Sequence, residues 1–339
     1  MEKKILLLNL KTEKMETLKI NDSPIVEVEP VPEVESSDGF ILSNTKKISF
    51  DKLRKGSIIP VFAKDNESTI SHPEFIESVQ SITEQVFSDQ RILKPAVRVS
   101  HPVKGRTPEA MGKPANMLRD HEKTLYYERM AFAIDLPEIQ EDVNGNALSL
   151  TIGGVRAYNI ENLYSRKIEE RFKVFVGYQN KVCTNLCIST DGIALDIRAR
   201  SVSELMENVY NLLTSYNAEK QISLLRSLPG YSISESQFAK LIGRARMYNF
   251  LLLKDKKGIP SIHLGDSQIS TVVRDYYKDE SFCRNSDGGI DLWRLYNLFT
   301  GAVKSSYIDT FLDRNVGSTE FITMMAENLR NKSEFWYLK

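Results

Sequence analysis

Residues 287–315 read DGGIDLWRLYNLFTGAVKSSYIDTFLDRN, a helix with a legible start and an aromatic buried face. Asp287-Gly288-Gly289 supplies a turn, because glycine takes positive φ without steric penalty. Asp291 then caps the helix by accepting from the free N–H groups of its first turn. Leu292, Leu295, Tyr296, Phe299 and Val303 recur at helical spacing, and Trp293 broadens the stripe. Gly301 interrupts it at a cost of about 1 kcal/mol against alanine, which predicts that another backbone packs close there. The pattern is that of a core-forming element and carries no catalytic motif.

The segments around it keep the helical period from residue 202 onward. Ser203 reads as the cap of a long helix, ELMENVYNLLTSYNAEKQISLLRSL, which Pro229-Gly230 breaks. Ser234 with Gln237 three residues on is a capping box that opens a helix expected to reach Leu253. GDSQISTVVRDYYKDESFCR predicts a third helix, and a last one is expected over Thr319–Arg330 before an apolar tail, EFWYLK, that docks. Upstream, residues 130–201 switch to the strand period. MAFAIDLPEI alternates, Asn144-Gly145 signals a hairpin, two strands are expected around Gln179-Asn180, and Asp191-Gly192 turns into IALDIRARS. Short-range hairpins of this kind imply an antiparallel meander.

The amino-terminal third is more varied. Residues 1 to about 20 predict a strand or short helix, and SPIVEVEPVPEVESSDG, from Ser23 to Gly39, reads as a flexible acidic linker or a docking peptide. A short capped helix over Ser49–Lys55 should lead into a strand ending at Ala63, and His72-Pro73-Glu74 opens a helix with Phe75, Val79, Ile82 and Val86 inward. Between Ile92 and Met130, four prolines exclude a continuous helix. An edge strand over Val97–Ser100 and a long basic loop are expected there, with MLRDHEKTLYYERM as a helix or strand entry. The expected fold is α+β, an antiparallel meander followed by a helical carboxy-terminal region, divided at 1–39, 40–201 and 202–339.

Lys plus Arg equals Asp plus Glu at 45 each, so no global field advertises a polyanionic partner. No run approaches the roughly 18 apolar residues that span a bilayer, and the start of the chain lacks a signal-peptide pattern. Three cysteines in 339 residues make no disulfide framework. A cytoplasmic protein with no membrane partner is expected.

The phrases VRVSHPVKGR, HEKTLYYERM, LSLTIGGVRAYN, FVGYQNKVCTNL, LIGRARMYN, VVRDYYKDESFCR and LWRLYNLFTGAVKSSYIDTFLDRN resemble an uncharacterised family of unknown function. That family is carried on conjugative and phage-like elements of Bacteroides-type bacteria, and the resemblance covers roughly Val97 to the end. The VCTNL strand and the LWRLYN helix are similar to a wider phage and plasmid family, also without an assigned activity. The resemblance implies a setting on a mobile element and transfers no site residues.

The residues themselves point weakly to chemistry. Cys183 and Cys187 share a face of a strand and read as two buried thiols, and the histidines lack ligand spacing, so no metal is expected. Gly153-Gly154 reads as a bend or bulge, since no phosphate-loop pattern surrounds it, and no cofactor is expected. His101, His121 and Glu122 lie in one segment and offer an acid and a base to an enzyme of unknown reaction, against the plainer reading of loop-ordering residues. Lys104, Arg106, Lys113 and Arg119 form one cationic cluster; Lys240, Arg244 and Arg246 form another, continued by Lys254, Lys256 and Lys257. Tyr126, Tyr127, Tyr158, Tyr178 and Tyr248 lie near these clusters and suit stacking on unpaired bases. Solvated faces paired to acids are the plainer reading. The leading expectation is a non-enzymatic accessory protein that binds single-stranded DNA; the alternatives are the enzyme and a partner-binding or assembling protein that uses residues 23–39.

Overall fold

In the computed structural model, which describes residues 39–56, 69–158 and 169–339, seven strands form one antiparallel sheet. They are β1 (Lys46–Ile48), β2 (Ala96–Val99), β5 (Arg129–Val143), β6 (Asn146–Ala157), β7 (Glu170–Asn180), β8 (Leu186–Cys187) and β9 (Ile193–Ala199). The order is β1-β2-β5-β6-β7, with β8 and β9 both pairing the far side of β7. A separate ribbon pairs β3 (Pro102–Arg106) with β4 (Lys123–Tyr127). The acidic stretch over 23–38, the element expected near the start and the strand expected up to Ala63 lie outside the described residues.

The meander forms where the turn residues permit it. Asn144 and Gly145 take φ of 54° and 78°, the left-handed pair that a two-residue hairpin needs, and join β5 to β6. Pro137 cannot donate to a ladder, and the β5–β6 register shifts between Leu136 and Gln140. Gly153 and Gly154 do not form a bulge. They sit in an unbroken ladder, where a Cβ on Gly153 would meet the Phe132 carbonyl oxygen at 2.1 Å and one on Gly154 the Phe75 ring at 2.6 Å. β2 is an inner strand, not an edge, because β1 pairs its open side from some fifty residues upstream.

Helices cover both faces of this sheet. α1 (Phe50–Gly56) is followed by α2 (His72–Val86), which Ser71 and Glu74 start with a reciprocal capping box. Phe75 of α2 packs on Phe132 and Phe172, side chains that strand alternation places on the same face as Gly154. The long stretch after Ser201 is two helices, α3 (Val202–Ser215) and α4 (Ala218–Ser227). Ser201 caps the first and Asn217 the second, so the chain restarts where one helix was expected. α5 (Glu235–Tyr248) has the expected capping box but stops before Leu253, and α6 (Asp266–Lys278) follows. Asp291 caps α7 (Leu292–Val303) as its sequence implies, beside a short pair of β10 (Ser232–Ile233) and β11 (Ile290–Asp291).

The stretch over 287–315, read as one helix, is broken after Val303; α8 (Ile308–Asn331) restarts within it and runs through Gly317 into the helix expected from Thr319. A Cβ on Gly317 would meet the His263 ring at 2.2 Å, so the glycine makes room for a neighbour and does not end the helix. α8 lies on the sheet face opposite α2: Lys173 donates to Asp313 at 2.6 Å and to the Asp309 carbonyl at 2.8 Å, and Thr319 donates to the Ile188 carbonyl at 2.7 Å. The tail docks as expected, with Phe335 and Tyr337 buried and the Tyr337 hydroxyl on the Pro260 carbonyl at 2.7 Å. Sheet and helices share one hydrophobic core, and no helix among the described residues is long and apolar enough to cross a membrane.

Beneath α2 the core encloses charge. Arg156 pairs with Glu170, their side chains 0% and 4% exposed, and its guanidinium lies over the rings of Tyr158 (4.6 Å) and Phe172 (4.5 Å). His72 stacks on Tyr158 at 4.3 Å and bonds the Tyr127 carbonyl through Nε2 at 2.8 Å.

Candidate functional site

The first cationic cluster lies on and beside the β3–β4 ribbon. Strand alternation and the register of Lys104 with Leu125 and Arg106 with Lys123 place Lys104, Arg106 and Lys123 on one ribbon face, together with Tyr127. Tyr126 falls on the other face, opposite Val103. Lys104 and Lys123 are exposed and Arg106 half-buried. Lys123 was not among the expected cations; it lies across the ribbon from Arg106, a neighbour that spacing along the chain does not show.

The loop joining the two strands is tied by Glu122. This buried carboxylate pairs with the Lys113 ammonium and accepts from the Arg119 backbone N–H at 2.9 Å, while its carbonyl accepts from Thr107. The Lys113 hydrogen bond, followed by that from Arg119, holds the Glu122 carboxyl below its ordinary range. Arg106 donates to the Lys113 carbonyl. Lys113, Arg106 and the Arg119 backbone thus order the loop, and Glu122 is a weakened base with a scaffolding role. His121 is exposed between Asp120 and Glu122, and the exposed His101 ring meets Asn44 Oδ1 at 3.1 Å. Each expected acid–base residue has a local partner or faces solvent.

The second cluster is divided in the same way. Arg244 lies over the Trp336 ring at 5.0 Å and donates to the Trp336 carbonyl, which fastens the tail to α5. Arg246 reaches Ser270 on α6 at 2.8 Å, and Lys240 is exposed.

A cleft of about 640 Å³ opens where the VCTNL and LWRLYN phrases meet. Cys183 lies in the turn before β8, not on a strand, and Thr184 beside it takes φ of 55°. Three buried asparagines fix this turn to α7. Asn180 donates to Asn297 Oδ1 at 3.1 Å, Asn185 donates to the Asn297 carbonyl at 2.9 Å, and Asn297 donates to the Trp293 carbonyl at 2.9 Å. Lys304 closes the network with bonds to the Cys183 carbonyl and to Thr184 Oγ1, the latter at 2.9 Å. Gly301 lines the cleft, and a Cβ there would meet the Asn185 side chain at an ordinary 3.6 Å, so no backbone presses on it. Burial pushes the Cys183 thiol up to about 11, and that of Cys187 higher, so neither is an activated nucleophile near neutrality. Among the described residues no group of three or more His, Cys, Asp or Glu is placed to hold a metal ion.

No curated protein and no solved structure matches the chain. The sequence model of a domain of unknown function described as "B. Theta Gene description (DUF3871)" matches residues 21–338, nearly the whole chain. The resemblance to an uncharacterised Bacteroides family therefore holds, and the chain belongs to the DUF3871 family.

Proposed function

We propose that this protein is a non-enzymatic accessory protein of a mobile genetic element, working in the cytoplasm and meeting single-stranded DNA through the β3–β4 ribbon. The observation that carries this reading is the register that sets Arg106 directly opposite Lys123, with Lys104 on the same face. Like charges opposite one another on paired strands are destabilising. Lys104 is exposed, and Lys123 is held at 2.8 Å by the exposed Asp120, a surface pair that a phosphate would have to displace. Backbone phosphates positioned by such cations give binding with little sequence readout. The similarity of the VCTNL and LWRLYN phrases to phage and plasmid proteins supports the mobile-element setting.

The test is fluorescence anisotropy of the full chain with a labelled oligothymidine over a salt series. Binding at low salt should weaken steeply as salt rises. Lys104→Ala/Lys123→Ala should weaken it and flatten the slope by about 0.7 for each phosphate no longer neutralised. Absence of binding at low salt, or an unchanged slope in the double variant, overturns the reading.

A further inference from the structure

The two most exposed large apolar side chains among the described residues lie just past the end of α5. Phe250 is 81% exposed and Leu253 88%, with Met247 and Leu252 also outside. This tip is ordered: Phe250 N–H bonds the Met247 carbonyl at 3.0 Å, Asp255 N–H bonds that of Leu252 at 2.9 Å, and Gly258 ends it at φ of 81°. Lys254 and Lys257 flank the leucines in solvent, and Lys256 folds over the Tyr248 ring at 4.9 Å. An apolar patch presented by fixed backbone, beside three lysines and the single carboxylate of the exposed Asp255, marks an interaction surface with a net positive rim.

The same chain carries a recess of complementary character. A cleft of about 570 Å³ lies between α4, α8 and the turn at Ser189–Asp191. Leu224 and Met324 give it an apolar floor, while Asp191, Glu320 and Glu327 outnumber its one cation, Lys220. Glu320 and Glu327 are two turns apart on one face of α8 and have no ion-pair partner among the described residues. Ser189, only 7% exposed, lines the cleft with a hydroxyl that has no hydrogen-bond partner among the described residues. A lysine ammonium supplies what both the hydroxyl and the carboxylates lack.

We propose that the protein self-associates by seating the tip over Met247–Lys257 of one copy in the Ser189–Glu327 cleft of another. Phe250 and the leucines cover Leu224 and Met324, and Lys254 and Lys257 meet the carboxylates and Ser189. The partner is a second copy because both halves of the contact, apolar centre and opposite charge, are present on this chain.

Sedimentation velocity of the full chain over a wide concentration range tests this, using wild type, a tip variant (Phe250→Ser/Leu253→Ser) and a cleft variant (Glu320→Lys/Glu327→Lys). Wild type should associate with concentration and dissociate in high salt, and each variant alone should lose the concentration dependence. Mixing the two variants should restore a one-to-one complex, since one keeps the cleft and the other the tip; a misfolded variant would not be rescued. A wild type that stays monomeric, a variant that associates like wild type, or a mixture that stays monomeric overturns the proposal. A monomer whose tip instead binds anionic vesicles or an oligonucleotide overturns it as well.

Discussion

Arg156 and Glu170 hold the same residue from two sides: the guanidinium donates to the Ile70 carbonyl, and both carboxylate oxygens accept from the Ile70 N–H at 3.1 and 3.2 Å. This ion pair therefore fixes the approach to α2 as well as neutralising itself. Removing one partner leaves a buried charge alone, so Glu170→Ala should lose about 3–5 kcal/mol of stability. The double change Arg156→Met/Glu170→Leu should recover much of that. Urea unfolding of the three proteins decides; a Glu170→Ala protein as stable as wild type would show that the pair does not hold this corner.

His72 should make the fold sensitive to acid. Burial first, and the charge of Arg156 second, lower it from 6.5 to about 3. Between those values the unfolded chain binds the extra proton, so stability is complete above about pH 6.5 and is lost as pH falls towards 3. The full effect is about 5 kcal/mol. The urea midpoint of wild type should fall relative to that of His72→Phe as pH drops through this window; parallel curves would refute the assignment.

Gly153→Ala should be among the most damaging single methyl additions. Its Cβ would meet the Phe132 carbonyl oxygen at 2.1 Å and the Phe175 ring at 2.8 Å, and strand backbone cannot swing aside as a side-chain tip can. A loss of about 3 kcal/mol is expected. Thermal unfolding checks it, with Gly243→Ala, where nothing lies within 4 Å, as the comparison.

Asn297 joins the turn before β8 to α7. Asn297→Leu should leave the Asn180 amide unpaired and cost about 1–3 kcal/mol. Hydrogen exchange should quicken at Val182 and Thr184, whose N–H groups bond Asn180 at 2.9 and 2.8 Å. Protection unchanged at both amides would remove the fastening role from Asn297.

Local chemistry was legible in the sequence, and partners distant along the chain were not. Asp291, Ser234 and the Asn144-Gly145 pair announce themselves because a cap or a hairpin turn is complete within a few residues. The pairing of β1 with β2, the room Gly317 gives His263 and the capture of Arg244 by Trp336 each depend on a second segment far away. The same holds for function. Lys104 and Arg106 were expected to act together, but the ribbon register adds Lys123, while the fold draws Lys113 to Glu122. The weak similarity at VCTNL and LWRLYN was a usable signal for the cleft, since those phrases meet there.

The Asn180–Asn297 bond spans 117 positions, and it has a consequence for how a nascent chain matures. The β5–β6–β7 meander needs only near neighbours and can assemble early in synthesis, whereas its last corner waits for α7 to leave the ribosome. Short-range contacts form fast and distant ones slowly. Until then the side-chain amides of Asn180 and Asn185 lack the partners on Asn297 that fasten this corner in the finished fold.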